Sequence, residues 1–138
     1  MDEVKQLTNE LLDFFNRLTS WETSVIRSSH LTLAEGHAVE VLGVYGEMNM
    51  KKLAEKLAVT TGTVTATVDK LEEGGFAKRM LVQEDRRTYM IELTPAGKEA
   101  FEEHHKHHLR LTQELMLLLD REEIDTFIKI LRKLNEHL

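Results

Sequence analysis

Apolar positions keep a helical period over most of this 138-residue chain and lose it once, between residues 76 and 93. From residue 4 to residue 27, Val4, Leu7, Leu11, Phe14, Phe15, Leu18, Trp21, Val25 and Ile26 fall on one broad stripe, which predicts a long amphipathic helix. Glu22 interrupts that stripe, three residues before Val25 and four after Leu18. A connector from Arg27 to Leu31 follows. Thr32 with Glu35 then forms a capping-box pattern, so Glu35 reads first as a cap. The helix it opens runs to about Tyr45 with Ala34, Ala38, Val41, Leu42 and Tyr45 inward, and with His37 beside that face, aligned with Val41 and Val44.

Asn49 is a good N-cap for the next run. Met50, Leu53, Ala54 and Leu57 repeat at helical spacing, Ala58 to Gly62 breaks the pattern, and Val64, Val68 and Leu71 resume it. Two short helices joined by a tight break make a helix-turn-helix. After Gly74 and Gly75 come β-type segments, Phe76 to Val82 and Thr88 to Leu93, joined by a charged turn holding Glu84, Asp85, Arg86 and Arg87. Thr94-Pro95 suits the start of a long helix reaching about Leu119. Asp120 with Glu123 caps a last helix that carries Ile124, Phe127, Ile128, Leu131 and Leu134 on one side. The expected fold is therefore mainly α with a small two-stranded β wing, a winged helix-turn-helix with helices on both sides.

Such a motif places its second helix in the DNA major groove while the wing reaches the backbone or the minor groove. The outward residues of that helix are Thr61, Thr63, Thr65, Thr67 and Lys70, and Lys51 stands near the start of the first motif helix, where a phosphate could meet it. The reading helix lacks Arg, Asn and Gln, the side chains that make bidentate base contacts. Direct readout should be modest, with specificity left to DNA shape, the wing and subunit spacing. Arg86 and Arg87 at the hairpin tip match the minor-groove arginine device.

The net charge of -6 changes this picture only in degree. Residues 1–46 hold far more acids than bases and 47–95 are balanced, whereas Phe76 to Met90 looks locally basic through Lys78, Arg79, Arg86 and Arg87. DNA feels the local field within roughly 8 Å at physiological salt, so the acidic remainder argues against strong non-specific affinity, not against DNA. There is no cysteine, hence no disulfide and no thiolate zinc site. No apolar run has membrane length, and a cytoplasmic protein is expected. At this length any sensing must occur inside or beside the DNA-binding fold.

The long helix after the wing carries Glu102-Glu103-His104-His105-Lys106-His107-His108. His104 and His108 are one turn apart and occupy two places in the seam Phe101, His104, His108, Leu111, Leu115, Leu118, so they can hold one ion between them. His105 and His107 read as solvated. Glu22, His37 and the pair His104 and His108 are ionisable groups in or beside three apolar stripes. An unpaired group there is costly, and two histidines with a third and a carboxylate would make a closed tetrahedral zinc site.

The order LAEKLAVTTGTVTATVDKLEEGGFAKR, then EDRR, then ELTPAGKE resembles the MarR-type winged-helix regulators over most of the chain. The resemblance implies one MarR-type domain over residues 1–138, with 32–94 as the winged-helix lobe and 1–31 and 95–138 as dimerisation helices. It also implies a homodimer on a pseudo-palindromic operator, Asp85 supporting the wing, and Arg86 or Arg87 on the DNA. The apolar stripes of the terminal helices ask for a partner chain on their own account. Within the family, the chain resembles the zinc-responsive uptake repressors, which implies Glu22, His37, His104 and His108 as ligands of one Zn²⁺ that favours DNA binding. That branch's second site would need a Cys that is absent and a Glu where Gly36 stands, leaving only Glu103. Ni²⁺, Co²⁺ or Mn²⁺ would also suit nitrogen and oxygen ligands. The rival readings are a MarR-type regulator of small aromatic or phenolic acids without metal, with His37 and Trp21 in the cleft, and a small metalloenzyme. The last lacks a His-Glu-x-x-His motif and any nucleophile-base pairing.

Overall fold

The computed structural model describes residues 2–82 and 85–138, with the side chains of residues 85–87 outside that description. In chain order it has α1 (Glu3–Ile26), α2 (Leu33–Tyr45), β1 (Met48–Asn49), α3 (Met50–Leu57), α4 (Thr61–Glu73), β2 (Ala77–Val82), β3 (Asp85–Leu93), α5 (Pro95–Met116) and α6 (Arg121–His137). The chain divides into two compact units, one reaching to His104 and the other running from His105 to Leu138.

In the first unit the helix ends are fixed by the side chains that the capping patterns identify. Thr32 Oγ1 accepts from Glu35 N and Glu35 Oε1 accepts from Thr32 N, both at 3.2 Å, so Glu35 is a cap. Asn49 Oδ1 accepts from Lys52 N at 2.8 Å and Thr60 Oγ1 from Thr63 N at 3.1 Å, which start α3 and α4. Between them Ala58 takes a left-handed conformation at φ 55°, ending α3 as a glycine commonly would. The break read from Ala58 to Gly62 is this turn.

The core joins Ala38, Val39 and Leu42 of α2, Leu53 and Ala54 of α3, and Val64, Val68 and Leu71 of α4 to Met48, Ala77, Ile91 and Leu93 of the sheet. That sheet has three strands in the order β1-β3-β2, not the two of the sequence reading. Its third member is two residues long, pairing Met48 with Ile91 and Asn49 with Met90. Such a bridge is too short to show a period of its own, but it buries Met48 and fixes the entry to α3.

Two further expectations are corrected. Tyr45 is not in the core, and neither is Ala34: both are exposed, and the Lys56 ammonium lies 3.9 Å from the Tyr45 ring centre, a cation–π contact on the surface. Val39, on the other side of α2, takes the buried place. The long helix also stops at Met116 and not near Leu119, because Leu118 N and Leu119 N bond back to Leu115 and Met116 carbonyls in a tightened last turn before the Asp120 cap.

In the second unit, Asp120 and Glu123 form a reciprocal capping box at the start of α6. Among the described residues α6 buries none, although Phe127, Ile128, Leu131 and Leu134 line one side. In the first unit Val4, Leu7, Leu11 and Phe15 of α1 are likewise more than half exposed. No helix among the described residues is long and apolar enough to cross a membrane.

Candidate functional site

The helix-turn-helix presents α4 with Val64, Val68 and Leu71 inward and Thr61, Thr63 and Lys70 exposed. The threonine hydroxyls are largely committed to the helix itself. Thr60 Oγ1 donates to Thr63 Oγ1 at 2.9 Å, Thr65 Oγ1 to the Thr61 carbonyl at 2.7 Å, and Thr67 Oγ1 to the Thr63 carbonyl at 3.1 Å. Thr60, Thr65 and Thr67 thus retain acceptor lone pairs and a methyl group for a ligand, while Thr63, which accepts here, keeps its own hydroxyl proton.

The basic character of the wing needs correction. Arg79 donates to Asp69 at 2.6 Å and to Glu72, both on α4, so it braces β2 against that helix. The hydrogen bond to Asp69 holds its guanidinium above the usual arginine range, against the effect of partial burial. Lys78 pairs with Glu92 at 3.0 Å and Lys70 with Glu73 at 3.6 Å. Composition counts these cations as field for DNA, whereas the fold places acids against them. Lys51 and Lys52 are exposed at the start of α3. The sequence roles of Asp85, Arg86 and Arg87 fall on side chains outside the described residues.

The sequence-derived ligands fall into two groupings. Glu22 Oε2 of α1 lies 3.1 Å from His37 Nε2 of α2. A carboxylate can only accept, so this nitrogen is the donor. His104 and His108 lie one turn apart on the unbroken α5, and within the first unit a carboxylate oxygen of Glu40 on α2 lies within 4.8 Å of a His104 ring nitrogen. His104 is the buried one, at 8% exposure, and Glu40 and His108 are half-buried. Glu22 and His37 are not in this set. Sequence reading missed Glu40, which could be found only by noting that it follows His37 by three residues and so shares its side of α2.

Gly36 explains how His104 comes so close. A Cβ there would stand 2.6 Å from Ile26 Cδ1 and 3.7 Å from His104 Cε1, so the bare backbone leaves room for both. The donors fit a borderline divalent ion. Zinc holds imidazole nitrogen and carboxylate oxygen at about 2.0–2.2 Å, which sets tetrahedral donors roughly 3.4 Å apart, so Glu40 and His104 would have to close by about 1.4 Å at most.

Three core-packed helices, a tight turn and an antiparallel wing with its arginine brace define a winged helix-turn-helix protein. The MarR family profile matches residues 31–89. The chain is 31% identical over 94 residues to the uncharacterized HTH-type transcriptional regulator YfiV of Bacillus subtilis, covering 67% of this chain and 59% of YfiV. It is 37% identical over 87 residues to the HTH-type transcriptional repressor YetL of the same organism, covering 63% and 52% respectively. It thus spans little more than half the length of these curated relatives. Among solved structures, Streptococcus pneumoniae FabT in complex with DNA superposes with a TM-score of 0.86 at 26% identity, over 96% of this chain and 95% of FabT. The chain belongs to the MarR family of winged-helix regulators.

Proposed function

We propose that the protein is a homodimeric, DNA-binding transcriptional repressor whose operator affinity is set by a divalent metal, zinc foremost, held on His104 and His108 with a carboxylate. The single observation that supports the metal is a buried histidine, His104, with a carboxylate oxygen of Glu40 within 4.8 Å of its ring; His108 follows one turn on along the same helix. DNA binding is supported by family membership and by the likeness to FabT, a protein seen with DNA. A second copy is supported by the exposed apolar sides of α1 and α6. Family membership also leaves no place for the metalloenzyme reading.

The metal would act by linkage. If the ion-bound dimer holds its two reading helices to match successive major grooves, about 34 Å apart, metal strengthens DNA binding. The test uses an operator selected from random duplexes and fluorescence anisotropy, with Zn²⁺ or with chelator. We expect chelation to weaken binding at least about tenfold, a coupling of roughly 1.4 kcal/mol, and His104→Ala to abolish the difference. Equal affinity in both conditions would remove the metal from the function. A response of metal-free protein to salicylate-like acids would then establish the aromatic-ligand reading in its place.

A further inference from the structure

We infer that Met80 and Met90 form an oxidation site in the wing, where a hydroperoxide converts either thioether to a sulfoxide and thereby weakens operator binding. The effect on DNA rests on the DNA-binding part of the reading above and not on its metal.

Sheet register brings the site together. Met90 stands on the central strand β3, opposite Met80 of β2 on one side and Asn49 of β1 on the other. Residues directly opposite across a sheet share a face, so these three side chains form one row. The adjacent row of Met48, Ile91 and Arg79 takes the other face, where Met48 and Ile91 enter the core. Met80, Met90 and Asn49 are half-buried, so both sulfurs are within reach of a small oxidant, whereas Met48, at 4% exposure, is shielded. Strand centres ordinarily favour β-branched or aromatic residues, and here two unbranched thioethers face each other instead. The sequence holds no cysteine, so thioethers are its only oxidisable sulfur.

The chemistry is a two-electron oxidation. With hydrogen peroxide, the thioether sulfur attacks the near oxygen and the S–O bond forms as the O–O bond breaks. The far oxygen takes the near oxygen's proton and leaves as water, so sulfur loses the two electrons that the peroxide gains. An apolar tip becomes a polar acceptor. Asn49, beside Met90, has two amide N–H groups to offer, and its Oδ1 starts α3 by accepting from Lys52 N at 2.8 Å. A sulfoxide oxygen on Met90 competes for that amide and draws it off the cap, where β1 passes directly into the first helix of the reading motif. A sulfoxide on Met80 demands water or a donor between β2 and β3, which loosens the wing.

The test exposes the full-length protein to hydrogen peroxide for increasing times, with redox-inert Zn²⁺ present, and stops each sample with catalase. Peptide mass spectrometry maps the sulfoxides, and fluorescence anisotropy measures operator binding. Wild type is compared with the double variant Met80→Leu, Met90→Leu, which nearly conserves volume, and with Met116→Leu, which removes the exposed thioether of α5. We expect Met80 and Met90 to oxidise at least about tenfold faster than Met48. Operator affinity should fall about tenfold in step with them, through the lost cap and the unsatisfied acceptor. Met116→Leu should behave as wild type, the double variant should keep its affinity, and methionine sulfoxide reductases should restore oxidised wild type. Sulfoxides at Met80 and Met90 with unchanged affinity overturn the inference, as does a loss that persists in the double variant. Where that variant folds poorly, the wild-type time course decides: a loss that follows Met116 and not Met80 and Met90 overturns it equally. Untreated wild type that binds no operator overturns the repressor reading and with it the effect on DNA, while the sulfoxide map, which needs no DNA, decides the site by itself.

Discussion

Replacing Gly97 with alanine should destabilise the protein, although the same change in an open helical position stabilises. Gly97 lies in the first turn of α5, and a Cβ on it would stand 1.9 Å from the Phe76 carbonyl oxygen and 3.0 Å from the Phe76 carbonyl carbon. That carbonyl cannot turn aside alone. It accepts from Thr94 N at 3.0 Å, and Thr94 Oγ1 donates to the neighbouring Gly75 carbonyl at 2.5 Å. The helix start must therefore back away from the base of the wing by about 1.5 Å to reach ordinary contact at 3.4 Å. Overpacking costs about 1–3 kcal/mol, and losing the Thr94–Phe76 hydrogen bond about 1 kcal/mol more. Alanine returns up to about 1 kcal/mol of helix propensity. The net is about 2 kcal/mol of destabilisation, on the order of 6–10 °C in Tm for a chain of this size. Urea unfolding at fixed protomer concentration measures it, since association shifts apparent stability. As a counterpart, Gly62→Ala in α4 meets only Thr60 Oγ1 at 3.9 Å and should stabilise, by about 0.5 kcal/mol. A Gly97→Ala midpoint within about 0.5 kcal/mol of wild type would refute the packing reasoning.

Arg79→Met should weaken operator binding several-fold without changing its salt dependence, because Arg79 braces the wing against Asp69 and Glu72; a slope of log affinity against log salt reduced by about 1 would instead mark a phosphate contact. Arg86→Ala, by contrast, should lower that slope by about 1 per subunit if the arginine neutralises a phosphate. Leu131→Glu on the exposed apolar side of α6 should dissociate the proposed dimer, read by sedimentation; an unchanged mass would show that α6 is not in an interface. Zn²⁺ affinity should fall as the solution is acidified, since binding requires deprotonated imidazoles, and a pH-independent affinity would exclude His104 and His108 as ligands.

How much of this was legible in the sequence depended on the range of each interaction. The caps at Thr32, Asn49 and Asp120 were readable because each lies within a turn of its partner, and the structure shows the hydrogen bonds. The α3–turn–α4 motif was readable from the inward spacing of Leu53, Ala54, Val64, Val68 and Leu71, every one of them buried. What periodicity missed was non-local or too brief. The bridge between Met48 and Ile91 joins residues far apart in sequence. Tyr45 fitted the helical stripe, but α2 ends just where that stripe leaves the core. The charge pairs of Arg79 and Lys78 could not be seen from composition, which counts cations but not the acids the fold sets against them. At the candidate site the i, i+4 histidines were visible on one helix, while Glu40 needed the packing of a second helix beside His104.

If the proposed ion binds, that second helix would give the site a route to DNA. α2 carries Glu40, and Ala38, Val39 and Leu42 of the same helix are packed in the core with α3 and α4. An ion shared by Glu40 and His104 would therefore constrain the helix against which the reading motif rests, rather than a loose surface arm. The size of the effect is bounded by differential affinity alone: an ion that binds both states of the dimer equally shifts nothing, however tightly it binds. A hundredfold change in operator affinity requires about 2.7 kcal/mol of preference for the DNA-competent state. By reciprocity, saturating operator must then tighten Zn²⁺ binding by the same hundredfold. Measuring Zn²⁺ affinity by chelator competition with and without operator tests this directly. A metal affinity indifferent to operator would show that any effect of zinc on DNA binding arises elsewhere than at an equilibrium between two states of this dimer.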